Sequence, residues 1–182
     1  MIAVWCEDEH RVGLKPIQRR VWAPKGQRPL AAVHQRYQWE YVYGFVHPSS
    51  GQSSCTVFPT VNAATMSAAL AQVAVDAAVT ATHRAALVLD NAGWHRAQDL
   101  VVPDGIDLHF LPPQSPELQP AERGWPLVNE ALANRAFADL DALQQALVDR
   151  CRTLLDDPAT VAAHTHYSWW PDDRQPMPKN DA

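Results

Sequence analysis

Three carboxylates stand at turning points of this sequence. Asp8 ends an alternating apolar run that begins at Ile2, and Asp90 ends the continuous apolar run "AALVLD". Glu122 lies where the proline-rich stretch "FLPPQSPELQPAERGWP" meets a helical pattern. Strand ends in open α/β sheets are where ligand sites are usually built. If the strands that lead to Asp8 and Asp90 are neighbours, the two acids can lie close enough to share a cation, and carboxylates that close repel unless a proton or metal stands between them. Oxygen ligands with no His or Cys partner suit Mg²⁺ or Mn²⁺ rather than zinc. Simpler chemistry is open to each acid. Asp90-Asn91 can form an Asx-turn or cap the next helix, and a Glu near a helix start gains from the helix dipole without any metal.

The proline-rich stretch is stiff where a linker would be loose. Pro112, Pro113, Pro116 and Pro120 restrict the backbone, so the loop crosses the sheet edge in few conformations. Pro120 fits the first turn of a helix, which puts Glu122 near its start and lets the loop aim a third carboxylate at the Asp8/Asp90 pair. Pro126 cannot sit inside an unbroken helix, so either the helix kinks there or Glu122 precedes its true start. Glu117 belongs to the approach loop and is the weaker candidate for a ligand.

The elements that must position these acids follow from periodicity. Ile2 to Cys6 alternate as a strand, and Tyr37, Trp39, Tyr41, Tyr43 and Phe45 share one face of a second. "HPSSG" turns the chain and "SSCTVFP" returns as the hairpin partner. Asn62 caps a helix whose stripe is Met66, Leu70, Val73 and Ala77. "AALVLD" reads as a buried parallel strand, "NAGWHRAQDL" as a short helix, and "IDLHF" as one more strand. Residues 127–155 read as helix, broken near Asn134–Asp139. The result is an α/β class, a mixed sheet covered by helices, with one domain over residues 1–156 and a tail over 157–182.

Bulk properties narrow the function. A chain of 182 residues with 47% hydrophobic content has enough apolar material for one full core. No run is long and apolar enough for a signal peptide or a membrane span. Cys6, Cys55 and Cys151 are odd in number and scattered, which reads as reduced thiols in a cytoplasm. The net charge of −5 argues against nucleic-acid binding over the whole surface. Yet Arg11, Lys15, Arg19, Arg20, Lys25, Arg28 and Arg36 fall between Glu9 and Glu40 with no acid among them. That strip is either a solvated ribbon or a phosphate-contacting surface, with Trp22 and Trp39 available to stack on bases. In the tail, His164 and His166 form a His-x-His pair without further Cys or His to complete a zinc site. Docking of Trp169 and Trp170 on the domain or on a partner is the alternative.

The residues around the three acids carry a resemblance. "CEDEHRVGLKP", "LVLDNAGWHRAQDL" and "LHFLPPQSPELQPAERGWPLVNEALANRAF" resemble, in this order, bacterial insertion-sequence transposases of the DDE group related to the mariner elements. The likeness runs from about residue 3 to about residue 150. It implies a ribonuclease H-like fold with a mixed five-stranded sheet, and the three metal-holding catalytic acids then fall on Asp8, Asp90 and Glu122. It implies two Mg²⁺ (or Mn²⁺) ions per site and phosphoryl transfer on DNA, with strand cleavage followed by strand transfer. Glu9, Asn91, His95 and Arg123 are supporting residues: His95 either orients a phosphate, holds Asp90 or caps local structure, and Arg123 either touches DNA or balances nearby acids. Trp125 reads as core. Lys15, Arg19, Arg20, Lys25 and Arg28 are the candidates for DNA contact.

Relatives of this kind usually carry helix-turn-helix modules ahead of the catalytic domain, and no such pattern occurs in residues 1–182. The expected partners are therefore element-end and target DNA, a second copy of the chain, and a separately encoded helix-turn-helix subunit, at the bacterial nucleoid in the cytoplasm. The alternative expectation is a catalytically silent fragment that regulates transposase subunits, and a stand-alone nuclease of the same fold ranks behind both.

Overall fold

The computed structural model describes residues 2–27, 29–30 and 36–171. Its frame is a five-stranded sheet in the order β3-β2-β1-β4-β5. The strands are β1 (Ile2–Gly13), β2 (Trp39–His47), β3 (Gln52–Phe58), β4 (Arg84–Leu89) and β5 (Ile106–Phe110). β1, β2 and β3 form an antiparallel meander, while β4 and β5 add parallel to β1. The mixed sheet expected from the sequence is therefore present.

Alternation along β1 divides the domain into two cores. Cys6, Val12, Val42 and Val46 point to one face, under Leu127, Val128, Leu143, Leu147 and Val161 of the later helices. Trp5, Tyr43, Phe45, Leu87 and Leu89 point to the other, against Met66, Ala69, Leu70 and Val73 of α1 (Ala63–Asp76). The expected stripe on α1 is buried as read, and Asn62 caps the helix through a reciprocal pair with Thr65. Such a cap is worth about 1 kcal/mol.

The first strand differs from the sequence reading. β1 does not stop at the acids but runs on to Gly13, because β2 pairs with it from Cys6 to Gly13. Asp8 is thus mid-strand, although it sits just past Cys6↔Val88, the last pair β1 makes with β4. The break read near Asn134–Asp139 is present: the helix after the proline stretch is two helices, α2 (Trp125–Glu130) and α3 (Leu140–Leu155), with Asp139 capping the second. Pro126 occupies the first turn of α2, where no backbone N–H is needed, and Glu122 precedes that helix in a 3₁₀ segment, Pro120–Gly124.

The segment read as a tail carries a further helix, α4 (Pro158–Thr165), capped by Asp157. α4 lies against β3 and the Pro120–Gly124 segment, and Trp170 beyond it is buried in the first core. Gly51, in the β2–β3 turn, has φ +76 and would place a Cβ 1.8 Å from the Pro158 carbonyl oxygen. Gly26 has φ +86 but nothing within 4 Å. Gly51→Ala should therefore lose about 2–5 kcal/mol in urea unfolding, from backbone strain and collision together, and Gly26→Ala only about 1–2 kcal/mol. Equal losses would mean that α4 is not seated on the turn.

Candidate active site

Asp8 is set in place by a residue that is missing its side chain. Its cross-strand partner on β2 is Gly44. The six-membered ring of Trp125 occupies the position where a Cβ at residue 44 would stand, 2.5 Å from Cη2. From there the indole Nε1 donates to Asp8 Oδ2 at 2.6 Å. His10 stacks on the same indole, with centroids 5.0 Å apart, and its Nε2 meets Asn129 Oδ1 at 2.9 Å. Trp125 was expected to be core; it is half-buried and holds one oxygen of Asp8.

Asp90 follows directly on β4. Its Oδ1 accepts from the Ala92 backbone N–H at 2.8 Å, the Asx-turn expected for this position, and lies 3.0 Å from His95 Nδ1, whose hydrogen bond goes to the Asp90 backbone carbonyl at 3.4 Å. His95 lies in the 3₁₀ turn Gly93–Arg96 and is buried. Its Nε2 lies 3.0 Å from Glu9 Oε1, which also accepts from Trp94 Nε1 at 2.6 Å. Glu9 alternates with Asp8, so it lies on the α1 face of the sheet and away from Asp8. His95 therefore links Asp90 to the far face.

The proline loop is tied down at both ends. Asn91 Nδ2 donates to the Leu111 carbonyl at 2.5 Å, and Arg96 lies over the Phe110 ring at 4.1 Å while also bonding Asn91 Oδ1. At the other end Gln119, 3% exposed, donates from Nε2 to the Glu7 carbonyl at 2.7 Å. Its Oε1 accepts from Ala121 N, so one side chain pins the loop to β1 and caps the segment that carries Glu122. Between the anchors, Gln114 holds φ +57. Asp8, Asp90, Asn91, Gln119 and Glu122 line one cavity of about 390 Å³ walled by Leu111 to Pro116. Glu117 is not in its wall.

Electrostatics in this cleft favour a positive guest. Burial pushes the Asp8 carboxyl up to about 7, against the lowering effect of the Trp125 bond and with the charges of Glu122 and Glu9 adding to the rise. Glu122 is raised by burial and by the charges of Asp90 and Glu117. Glu122 thus opposes ionisation of Asp8, and Asp90 that of Glu122, and a proton or a cation relieves them. Three carboxylates on one cavity fit a hard divalent ion through oxygen. His95 is raised as well: burial disfavours its charge, but the Glu9 bond and the charges of Glu9 and Asp90 outweigh it.

The remaining expected residues are spread out. Lys15 joins Arg11, Arg36 and Trp39 around a separate hollow of about 260 Å³, with the Arg11 guanidinium 5.0 Å from the Trp39 ring centroid. Arg19 is exposed but turned inward, donating to the Pro126 carbonyl at 3.0 Å. Arg20 and Lys25 are exposed, Trp22 is fully so, and Arg28 lies outside the described residues. Arg123 stacks over Tyr167 at 4.6 Å, toward the C-terminal segment. His164 bonds the Thr160 carbonyl, and neither it nor His166 belongs to a metal-competent cluster among the described residues. Sequence reasoning missed Gly44, Trp125, Gln119 and Trp94. The "GW" that follows two of the three acids, Gly93-Trp94 after Asp90 and Gly124-Trp125 after Glu122, was a signal, but nothing in it separates an indole that packs from one that donates.

Comparison with known proteins is consistent with this arrangement. The uncharacterized protein y4pE/y4sA of Sinorhizobium fredii (strain NBRC 101917 / NGR234) is 38% identical over 132 residues, covering 72% of this chain and 96% of that protein. The Mos1 transposase paired-end complex with left transposon end matches with a TM-score of 0.57 at 16% identity, over 91% of this chain and 56% of that one. The Mos1 mariner paired end complex with Mn gives 0.56 at 18% identity with the same coverage. This chain thus spans little more than half the length of the Mos1 chains, and the likeness is one of fold, the ribonuclease H-like fold that the motifs implied. A family model described as DDE superfamily endonuclease matches residues 3–144. The chain belongs to the DDE superfamily endonucleases.

Proposed function

We propose that this chain is a transposase catalytic domain that cuts DNA and joins the cut end to a target, with Asp8, Asp90 and Glu122 as the metal-holding acids. The observation that carries the reading is their convergence on one cavity from three separate elements. Asp8 is raised by burial and by the charge of Glu122, and Glu122 by burial and by the charge of Asp90, which leaves a deficit of positive charge in the cleft. Mg²⁺ or Mn²⁺, two ions per site, would activate a water or a DNA 3′-hydroxyl there and stabilise the leaving oxygen.

The protein's own share is placement. Trp125 fixes Asp8, the Ala92 N–H and His95 fix Asp90, and Gln119 sets the start of the segment that bears Glu122. Asn91 acts by holding the loop through Leu111 rather than as a ligand. The hollow formed by Arg11, Lys15 and Arg36 around Trp39 suits a phosphate backbone with an unstacked base beside it, and Arg20 and Lys25 extend the same basic segment. Mos1 is seen bound to a transposon end and with Mn, and DNA with a divalent ion is the corresponding guest here. A second copy of the chain and a separate helix-turn-helix subunit would supply pairing and recognition of element ends, at the nucleoid in the cytoplasm. A silent regulatory fragment has no use for three converging acids.

Asp90→Asn and Glu122→Gln should each abolish Mg²⁺-dependent nicking of element-end DNA, with the circular dichroism spectrum unchanged. Full activity in either variant would refute the ligand assignment. Trp125→Phe keeps the stacking on His10 but loses the N–H, and should lower the cleavage rate by about 10–100-fold. The raised Asp8 carboxyl sets a pH profile. At subsaturating Mg²⁺ the rate should fall as pH drops below about 7, where a proton competes for Asp8, and more Mg²⁺ should move that limb to lower pH. Without metal the stability effect runs the other way. Between about pH 4 and about 7 folded Asp8 keeps a proton that the unfolded chain has released, so its contribution to stability declines as pH rises. A rate that is flat across this range at every metal concentration would refute the assignment.

A further inference from the structure

β1 carries a second set of acids on its other face. Glu7 is 0% exposed, and neither of its carboxylate oxygens has a hydrogen-bond partner. Glu7 Oε2 lies 3.4 Å from His95 Nε2, and Glu9 Oε1 lies 3.0 Å from the same nitrogen. Each of the three residues offers one donor atom, and these atoms lie within 4.8 Å of one another. Trp94 closes the pocket edge-on, with its ring centroid 5.7 Å from that of His95.

Two buried carboxylates aimed at one imidazole nitrogen are a costly arrangement in apolar surroundings. The α1-side core around them holds Trp5, Tyr43, Phe45 and Leu89, and among the described residues no lysine or arginine is paired with Glu7 or Glu9. We propose that Glu7, Glu9 and His95 form a second, buried binding site for one divalent transition ion of the zinc or manganese kind. With ligand distances of about 2.0–2.2 Å, donor atoms at right angles around one ion stand about 3.0 Å apart and tetrahedral donors about 3.4 Å apart. The separations of Glu9 and Glu7 from His95 Nε2, 3.0 and 3.4 Å, lie within the range that donors around one such ion span.

His95 Nδ1 stands 3.0 Å from Asp90 Oδ1 and 3.4 Å from the Asp90 backbone carbonyl, so a proton on Nδ1 has acceptors there while Nε2 is the nitrogen that faces Glu7 and Glu9. A carboxylate on the far nitrogen of a metal-bound imidazole is the usual outer partner of such a ligand. One imidazole with two carboxylates is a mixed donor set, which favours zinc or manganese over magnesium. Asp90 thereby belongs to two systems, as a ligand on the cleft side and as the orienting partner of His95 on the buried side. This second site stands whether or not the chain cuts DNA.

The nitrogen ligand provides the test, because Asp8, Asp90 and Glu122 offer only oxygen. The full chain, stripped with chelator and supplied with excess MgCl₂ to fill the oxygen cleft, would receive one equivalent of MnCl₂. Pulsed electron paramagnetic resonance should then show coupling to one directly bound imidazole nitrogen. Glu7→Gln, which keeps the shape of the side chain, should bind Mn²⁺ at least tenfold more weakly and lose most of that coupling. Zinc should raise the Tm of the wild type more than that of Glu7→Gln. Bound manganese without nitrogen coupling, or no retained ion, would overturn the proposal and leave a proton as the balancing charge. An undiminished signal in Glu7→Gln would overturn it equally, since the ion would then lie elsewhere.

Discussion

β1 keeps its antiparallel partner β2 from Cys6 to Gly13 but its parallel partner β4 only as far as Cys6. At that step the backbone is still held on one side while the other opens to the cleft. Asp8 falls two residues past the step on β1, and Asp90 follows the end of β4 in the matching register. The register Cys6↔Val88 brings residues 8 and 90 level just where the pairing of β1 with β4 stops. A one-residue slip would turn Asp8 onto the α1 face and bring Glu7 or Glu9 to the cleft, since side chains alternate. The buried contacts on both faces of β1 hold that register.

Three consecutive acids on a central strand put strong charge where the sheet is driest. The fold answers with donors that are themselves apolar bodies. Trp125 and Trp94 each fill space beside the sheet and extend one N–H, to Asp8 and to Glu9 respectively. An indole suits this role because most of its surface is at home in a core while its single polar group needs a partner. Unlike lysine or arginine, it adds no charge, so the site remains short of positive charge and able to take a cation. Gly44 completes the arrangement on the Asp8 side by giving up the volume that the ring needs.

What could be read from the sequence was what depends on local pattern. The α1 stripe, its Asn62 cap, the hairpin, and the strands ending at Asp90 and Phe110 all follow from period and turn chemistry. The motif order around the acids gave the family. The continuation of β1 to Gly13 was hidden because a strand that loses one neighbour turns polar on one side, so "EDEHRVG" resembles a loop. Gln119 and Trp125 were hidden for another reason. Whether a buried amide or indole donates, and to what, is decided by residues about a hundred positions away. α4 was obscured by the small and polar residues of "PATVAAHT", whose apolar stripe is little more than Val161, so periodicity alone shows no face.

The proline loop shows why rigidity alone would not serve. Restricting φ at Pro112, Pro113, Pro116 and Pro120 reduces the entropy lost on ordering the loop, but a stiff loop can still be stiff in the wrong place. Its position is set by two amides, Asn91 holding the Leu111 carbonyl and Gln119 holding the Glu7 carbonyl. Both anchors are neighbours of acids, Asn91 beside Asp90 and Glu7 beside Asp8, so each tie fixes the loop against a carboxylate's own backbone. Glu122 is therefore located relative to the backbones of Asp8 and Asp90 through these two ties, while α2 and α4 pack against the segment that carries it.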